Sequence, residues 1–264
     1  MPRQDTPTTP FEAERTGGSG LGWDAIIVAG GRARRLGGID KTALVWRGRS
    51  LLDGVLAATT GARRTCVVGS DAVFPADVLR AVEQPRWGGP AAAMVAGLEA
   101  LARDSGGTGS EGTGSAGTGS AGTGSAGTGS AGTGSTDTGF AEWIVVLAGD
   151  LVHADDAVPY LLAELDRLLT APQTDAAQTD AVAHRAIDGL ISVDTGGRRQ
   201  PLLAVYRRAA LTSSALQRRA DNLSVMGLID PLDLVELGLP DALADDVDTP
   251  ADAARLGIVL PNTG

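Results

Sequence analysis

The densest chemistry in the 264-residue chain lies in Ala29-Gly30-Gly31-Arg32-Ala33-Arg34-Arg35-Leu36-Gly37-Gly38-Ile39-Asp40-Lys41. Four glycines let the backbone turn sharply and come close to a ligand. Exposed N–H groups in such a turn cradle phosphate oxygens. Arg32, Arg34, Arg35 and Lys41 place four cations within ten residues of a chain whose formal net charge is −10. That local contrast points to a small polyanion. The spacing does not match the dinucleotide fingerprint Gly-x-Gly-x-x-Gly. A Walker loop needs Gly immediately before the Lys, where Asp40 stands.

The elements around this loop read as alternating strands and helices. Trp23 to Ala29 (WDAIIVA) is short, apolar and closed by glycines, as in a buried parallel strand. Ser50 to Thr59 has helical spacing, with Leu51, Leu52, Val55 and Leu56 on one side. Arg64 to Val68 reads as a strand, Gly89 to Ala102 as a helix, and Trp143 to Ala148 (WIVVLA) as a strand running into Gly149 and Asp150. A helix over Ala154 to Leu169 follows, then short strands at Gly189 to Val193 and Leu202 to Val205, and a helix over Arg207 to Arg218. Such alternation predicts an α/β domain with a mostly parallel sheet flanked by helices.

Three stretches break the pattern. Residues 1–21 are polar and read as a mobile tail. Gly106 to Gly139 repeats Gly-Thr-Gly-Ser-Ala and holds fourteen of the 37 glycines, without an aromatic or large aliphatic residue. Nothing in it offsets its ordering entropy, so residues 105–139 read as a disordered Gly/Ser/Thr/Ala insertion between a helix and a strand. Its unperturbed span is roughly 30 Å, yet loop closure is cheap enough for its ends to lie together. Thr170 to Asp180 reads as a shorter insertion, near 170–181. The remainder of 22–260 is then one domain.

Composition removes several classes. One cysteine excludes a disulfide scaffold and Cys-based zinc sites, and His153 and His184 alone exclude multi-His metal centres. The acidic balance disfavours broad nucleic-acid binding. No apolar run approaches the roughly 20 residues of a membrane span, and the first 20 residues lack a secretory apolar stretch. The expectation is a soluble cytoplasmic protein with neither nucleic-acid nor membrane partners.

The segment Gly30-Gly31-x-x-x-Arg35-Leu36-Gly37-Gly38-x-Asp40-Lys41 closely resembles the signature loop of molybdenum cofactor guanylyltransferases, which are nucleotidyltransferases of Rossmann-like α/β fold. Thr42 to Leu52 resembles the family's continuation: a short β-segment, a turn and the next helix. The adjacent glycines at 30 and 31 favour the guanylyl branch over the cytidylyl one. Later segments agree in order. Arg86-Trp87-Gly88-Gly89-Pro90 resembles the Gly-Pro segment near the base and ribose, with Glu83 or Gln84 as the approximate counterpart of the acidic residue that precedes it in the family. Asp150 matches the metal-binding aspartate. Gln200-Pro201-Leu202 resembles a segment near the acceptor side, and Asp246-Val247-Asp248-Thr249-Pro250 resembles Asn-Val-Asn-Thr-Pro. Val152 stands where the family commonly has Pro. The likeness covers roughly residues 23–257 without the insertions.

The resemblance implies transfer of GMP from GTP to the terminal phosphate of molybdopterin, with Mg²⁺ as cofactor and pyrophosphate as product. It implies nucleotide binding by Ala29, Gly30, Gly31, Arg32, Gly37, Gly38, Lys41, Gly89 and Pro90. Arg35 and Lys41 would be catalytic, neutralising charge on the phosphates, and Asp150 with Asp248 would hold the metal. A phosphate monoester is largely dianionic at neutral pH (second pKa about 6), so no strong general base is needed. A molybdoenzyme or its chaperone is the implied recipient. Two other readings stay open: cytidylyl or other nucleotidyl transfer to the same cofactor or to a sugar phosphate, and a non-catalytic nucleotide-binding partner protein.

Other conspicuous residues have plainer readings. Cys66, in an apolar strand, reads as core. Asp155 and Asp156 suit a helix start. His153 follows Asp150 closely but belongs to no triad motif, and His184 borders an insertion.

Overall fold

A computed structural model describes residues 21–30, 40–104, 140–171, 187–218, 223–240, 243, 247 and 249–260. The expected tail up to residue 20, the repeat, most of the shorter insertion and the loop residues 31–39 lie outside that set, whereas Leu21, read as the end of the tail, packs against the core.

Nine strands and six α-helices make up the described chain: β1 (Trp23–Val28), β2 (Val45–Trp46), β3 (Arg49–Ser50), α1 (Leu51–Ala58), β4 (Thr65–Val68), β5 (Val78–Ala81), α2 (Pro90–Asp104), β6 (Trp143–Ala148), α3 (Ala154–Thr170), β7 (Gly189–Val193), β8 (Arg199–Arg207), α4 (Arg208–Gln217), α5 (Val225–Ile229), β9 (Leu234–Gly238) and α6 (Pro250–Leu256). Seven strands form one sheet in the order β5-β4-β1-β6-β8-β7-β9, and β2 and β3 form a separate hairpin. Within the large sheet only β8 runs against its neighbours β6 and β7.

The central strands β1 and β6 are buried on both faces, which is why they read as unbroken apolar runs. Their side chains still alternate. Ala25, Ile27, Trp143, Val145 and Leu147 meet Leu52 and Val55 of α1 and Leu161 and Leu165 of α3. Ile26, Val28, Ile144 and Val146 meet Met94 and Leu98 of α2, Leu211 of α4 and Leu228 of α5. Two apolar layers of this kind make a doubly wound fold.

The mostly parallel sheet and the strand–helix alternation match the sequence reading, and the bounds shift where packing overrides pattern. β1 ends at Val28 rather than Ala29. β8 runs over nine residues, Arg199–Arg207, rather than Leu202 to Val205, because it is clasped between β6 and β7 for most of its length. Sequence reading missed β5 and β9, the two edge strands. Their sequences, VLRA and LVELG, carry charge and are only part-buried, as edges that avoid further pairing tend to be.

A third, smaller cluster matters most for the site. Leu44, Trp46, Leu51, Val152, Val247, Ala253 and Ile258 pack together, and Trp46 Nε1 donates to Leu256 O at 3.1 Å. The C-terminal helix α6 thereby docks on the β2–β3 hairpin and on the turn after β6. Its start is fixed by Pro250 and a capping box, in which the Thr249 hydroxyl accepts from Asp252 N–H at 3.2 Å and Asp252 Oδ2 accepts from Thr249 N–H at 2.8 Å.

Candidate functional site

Strand order reverses between β1 and β6: the chain passes from β1 outward to β4 and β5, then returns through α2 to β6 on the other side. In open α/β sheets ligands bind in the crevice at such a switch point, beyond the carboxyl ends of the strands. The 29–41 loop leaves β1 there, and Gly149 and Asp150 leave β6 there.

Close backbone contacts bring these ends together. A Cβ on Gly149 would lie 2.9 Å from Ala29 Cβ and 3.3 Å from Thr42 Cγ2. Only a glycine lets the end of β6 sit this tightly against the end of β1 and the 3₁₀ turn Lys41–Ala43. On the other flank Gly69, at φ 82°, presses on Gly30, where an added Cβ would meet Gly30 Cα at 2.7 Å. Asp40 caps the 3₁₀ turn: its Oδ1 accepts from Thr42 N–H at 3.0 Å and from the Thr42 hydroxyl at 2.7 Å.

The turn delivers Lys41 to Asp150, with Nζ 3.7 Å from Oδ2 and both side chains mostly shielded. A cation at the end of the glycine loop and a carboxylate at the end of β6 thus share one spot. Such a pair has the charges to suit a phosphorylated ligand with a divalent cation, the lysine for its oxygens and the carboxylate for the cation. Asp150 is the right donor for a hard cation of the magnesium type, which takes one or two carboxylates and completes its shell with water and substrate phosphates. Among the described residues no group of three or more His, Cys, Asp or Glu converges, so a cage built wholly of protein ligands is not found there.

Of the sequence-derived site residues, the structure brings together Ala29, Gly30, Lys41 and Asp150. Gly31, Arg32, Arg35, Gly37, Gly38 and Asp248 lie outside the described residues. Val247 and Thr249, the neighbours of Asp248, are described: Val247 is fully buried in the small cluster with Leu44 and Val152. Val152 fills that cluster. Gly89, at φ 90°, and Pro90, the first residue of α2, stand on the β4–β5 side of the same sheet edge.

The bystanders resolve physically. Cys66 is fully buried, and desolvation pushes its thiol up to about 12, which leaves no thiolate to attack anything. His153 stacks edge-on against Trp46 at 4.9 Å as the residue before α3. Asp155 binds Arg49 of the hairpin at 3.1 Å. His184 lies outside the described residues.

Sequence reading left Glu83 and Gln84 as alternatives for the acidic residue before the Gly-Pro segment; Glu83 is buried and accepts from Trp87 N–H at 3.0 Å through Oε1. Sequence reading missed the opposite edge of the sheet. There Asp24, fully buried in β1, pairs with Arg208 and with Arg64 at 3.5 Å. Burial raises the Asp24 carboxyl above its ordinary value against the pull of Arg208 and Arg64. A groove of about 1340 Å³ opens at that edge between α2 and α4, lined by Leu98, Phe140 and Leu216 among others. It lies at the amino ends of the parallel strands, away from Lys41 and Asp150.

Fold and site together define a doubly wound α/β domain with a glycine-rich loop, a lysine and an aspartate at its switch point. The chain belongs to the MobA-like NTP transferase domain family, whose model matches residues 25–230. It is 37% identical over 95 residues to a molybdenum cofactor guanylyltransferase of Acidiphilium cryptum (strain JF-5), a match covering 34% of this chain and 48% of that protein. The match thus spans about half the length of that curated relative. Two solved structures share the fold. Molybdopterin-guanine dinucleotide biosynthesis protein A from Archaeoglobus fulgidus superposes with a TM-score of 0.53 at 17% identity, over 88% of this chain and 96% of that one. Rv0371c from Mycobacterium tuberculosis H37Rv does so with 0.53 at 17%, over 89% and 98%.

Proposed function

We propose that this protein transfers GMP from GTP to the terminal phosphate of molybdopterin, releasing pyrophosphate. The observation that carries the reading is the meeting of Lys41 and Asp150 at the switch point of a chain in the MobA-like family. The guanylyltransferase relative supports the choice of base and acceptor.

In this reading the backbone of Ala29, Gly30 and Gly31 closes around the triphosphate, with Arg32, Gly37 and Gly38 completing the loop. Lys41 and Arg35 offset charge on the α-phosphate and on the departing pyrophosphate. Gly89 and Pro90 border the base and ribose. Asp150, with Asp248, holds magnesium, which when bound supplies further charge neutralisation at the triphosphate. The acceptor phosphate attacks as a dianion, so the protein's work is in-line positioning and electrostatics rather than proton abstraction.

The tail and the glycine-rich insertion take no part in this chemistry. The enzyme is soluble and cytoplasmic and hands its product to a molybdoenzyme or that enzyme's chaperone. Among the described residues no helix is long and apolar enough to cross a membrane.

The test incubates the protein with molybdopterin, Mg²⁺ and GTP, CTP or ATP in turn, and measures pyrophosphate and nucleotide linkage. GTP-selective turnover is expected. Preference for CTP would transfer the reading to cytidylyl transfer, and GTP binding without product would reduce the protein to a nucleotide-binding partner.

A further inference from the structure

Of the four tryptophans, Trp23, Trp46 and Trp143 are buried, whereas Trp87 is 46% exposed. Its backbone sits at φ 69°, a conformation a bulky L-residue adopts only at a cost. The hydrogen bond from Trp87 N–H to Glu83 Oε1, at 3.0 Å, holds it there. Glu83 is 4% exposed, and its Oε2 is buried without a hydrogen-bond partner. A carboxylate buried with one oxygen unsatisfied is itself costly.

Two unfavourable features therefore converge on one short loop. Packing does not account for them, because the ring they hold points outward. The loop stands at the ligand edge of the sheet: Glu83 follows β5, Gly69 follows β4, and Gly88-Gly89-Pro90 leads into α2. Arg86 lies over the Trp87 ring at 5.3 Å and pairs with Asp71 at 3.3 Å. The result is a flat aromatic surface with a guanidinium against it, presented where a nucleotide would lie.

We propose that Trp87 is the stacking platform for the base of the bound nucleotide and that Glu83 is the residue that positions it. The inference rests on the nucleotide reading above. An indole offers any base a π-face, and a purine covers more of it than a pyrimidine. The contribution is therefore greater for GTP than for CTP.

The test uses the full chain and pairs GTP with inorganic tripolyphosphate, which has the phosphates but no base. In the unaltered protein GTP protects tryptophan fluorescence from acrylamide, and tripolyphosphate does not. Trp87→Ala weakens GTP about ten-fold and leaves tripolyphosphate unchanged, while Trp87→Phe restores most of the GTP affinity. Glu83→Gln keeps an acceptor for Trp87 N–H and stays near the parent, whereas Glu83→Ala falls toward Trp87→Ala. Unchanged GTP affinity in Trp87→Ala, equal loss of both ligands, or absence of fluorescence protection in a GTP-binding parent overturns the role of Trp87 and leaves the nucleotide reading standing. A parent that binds neither ligand overturns the nucleotide reading and this inference with it.

Discussion

Lys41 Nζ lies 3.7 Å from Asp150 Oδ2, and this contact joins the ends of the two strands that flank the switch point. The pair is anchored from behind by Gly149, whose N–H donates to Val28 O at 2.9 Å. Each partner arrives on a short, well-braced segment: Lys41 on a turn capped by Asp40, Asp150 one residue beyond the β1–β6 ladder's glycine clamp.

Asp150→Asn keeps the shape of the side chain and removes its charge. Turnover should fall on the order of 10²- to 10³-fold, as when one transition-state contact is removed. Stability should change by at most about 1 kcal/mol, because a partly exposed ion pair contributes little. Pyrophosphate release and a thermal melt measure the two effects. Near-normal turnover would sink the assignment of Asp150.

Gly149→Ala should damage folding and activity together. The new methyl would meet Ala29 Cβ at 2.9 Å, Ala29 Cα at 3.0 Å and Thr42 Cγ2 at 3.3 Å, and two of these belong to strand-end main chain and its rigid stub. Overpacking of this kind costs about 1–3 kcal/mol. The urea midpoint should drop, and the KM for GTP should rise as Lys41 is pushed away from Asp150. An unchanged midpoint would show that the strand ends separate freely.

The β7–β8 turn carries a pH dependence of known sign. Asp194 Oδ1 accepts from Arg198 N–H at 2.8 Å and Gly196 N–H at 2.9 Å, and Oδ2 accepts from Gln200 Nε2 at 2.8 Å. The Arg198 N–H above all, with Gln200 and Gly196, holds the carboxyl below its ordinary value. A depressed acid adds stability that is complete above its unfolded pKa and is lost as pH falls through the folded one. The ¹³C titration midpoint of the Asp194 carboxyl should therefore lie below that of an unstructured aspartate, and Asp194→Asn should remove the corresponding acid-side slope in stability. A midpoint at the unstructured value would refute the bracing of this turn. Because β8 pairs Leu203 with Leu147 of β6, the turn and Gln200 stand on the same edge as Asp150.

The central layer was legible because β1, β4 and β6 are buried on both faces and so carry unbroken apolar residues. The glycine loop stood out in the sequence because its glycines and cations are residue types suited to a ligand rather than to a core. β5 and β9 were not, since edge strands lack a buried second face and blend into loop composition. Glu83 was only half legible: resemblance left it as an alternative to Gln84, and no local pattern encodes its contact with the strained main chain of Trp87. Asp24 was hidden inside an apolar strand, and its partners Arg64 and Arg208 come from far along the chain.

Arg64 makes a strong prediction about the glycine-rich repeat. Asp104, the last residue of α2, lies 3.9 Å from Arg64 Nη1, and the Phe140 ring lies 5.9 Å from the same guanidinium. Arg64 is held in turn by Asp24 at 3.5 Å and by Leu101 O at 3.1 Å. The two described ends bordering the repeat are thus gathered on one anchored side chain. Loop-closure cost depends only weakly on length, about 0.6 kcal/mol per doubling. Replacing Gly106 to Gly139 by a short Gly/Ser linker should therefore leave the melting temperature equal or slightly higher and GTP affinity unchanged. Calorimetry and equilibrium binding on the shortened chain check this, and a large loss of either would show that the repeat supports the fold or the site. Arg64→Ala should cost no more stability in the shortened chain than in the full one, because a short linker itself keeps the two ends together.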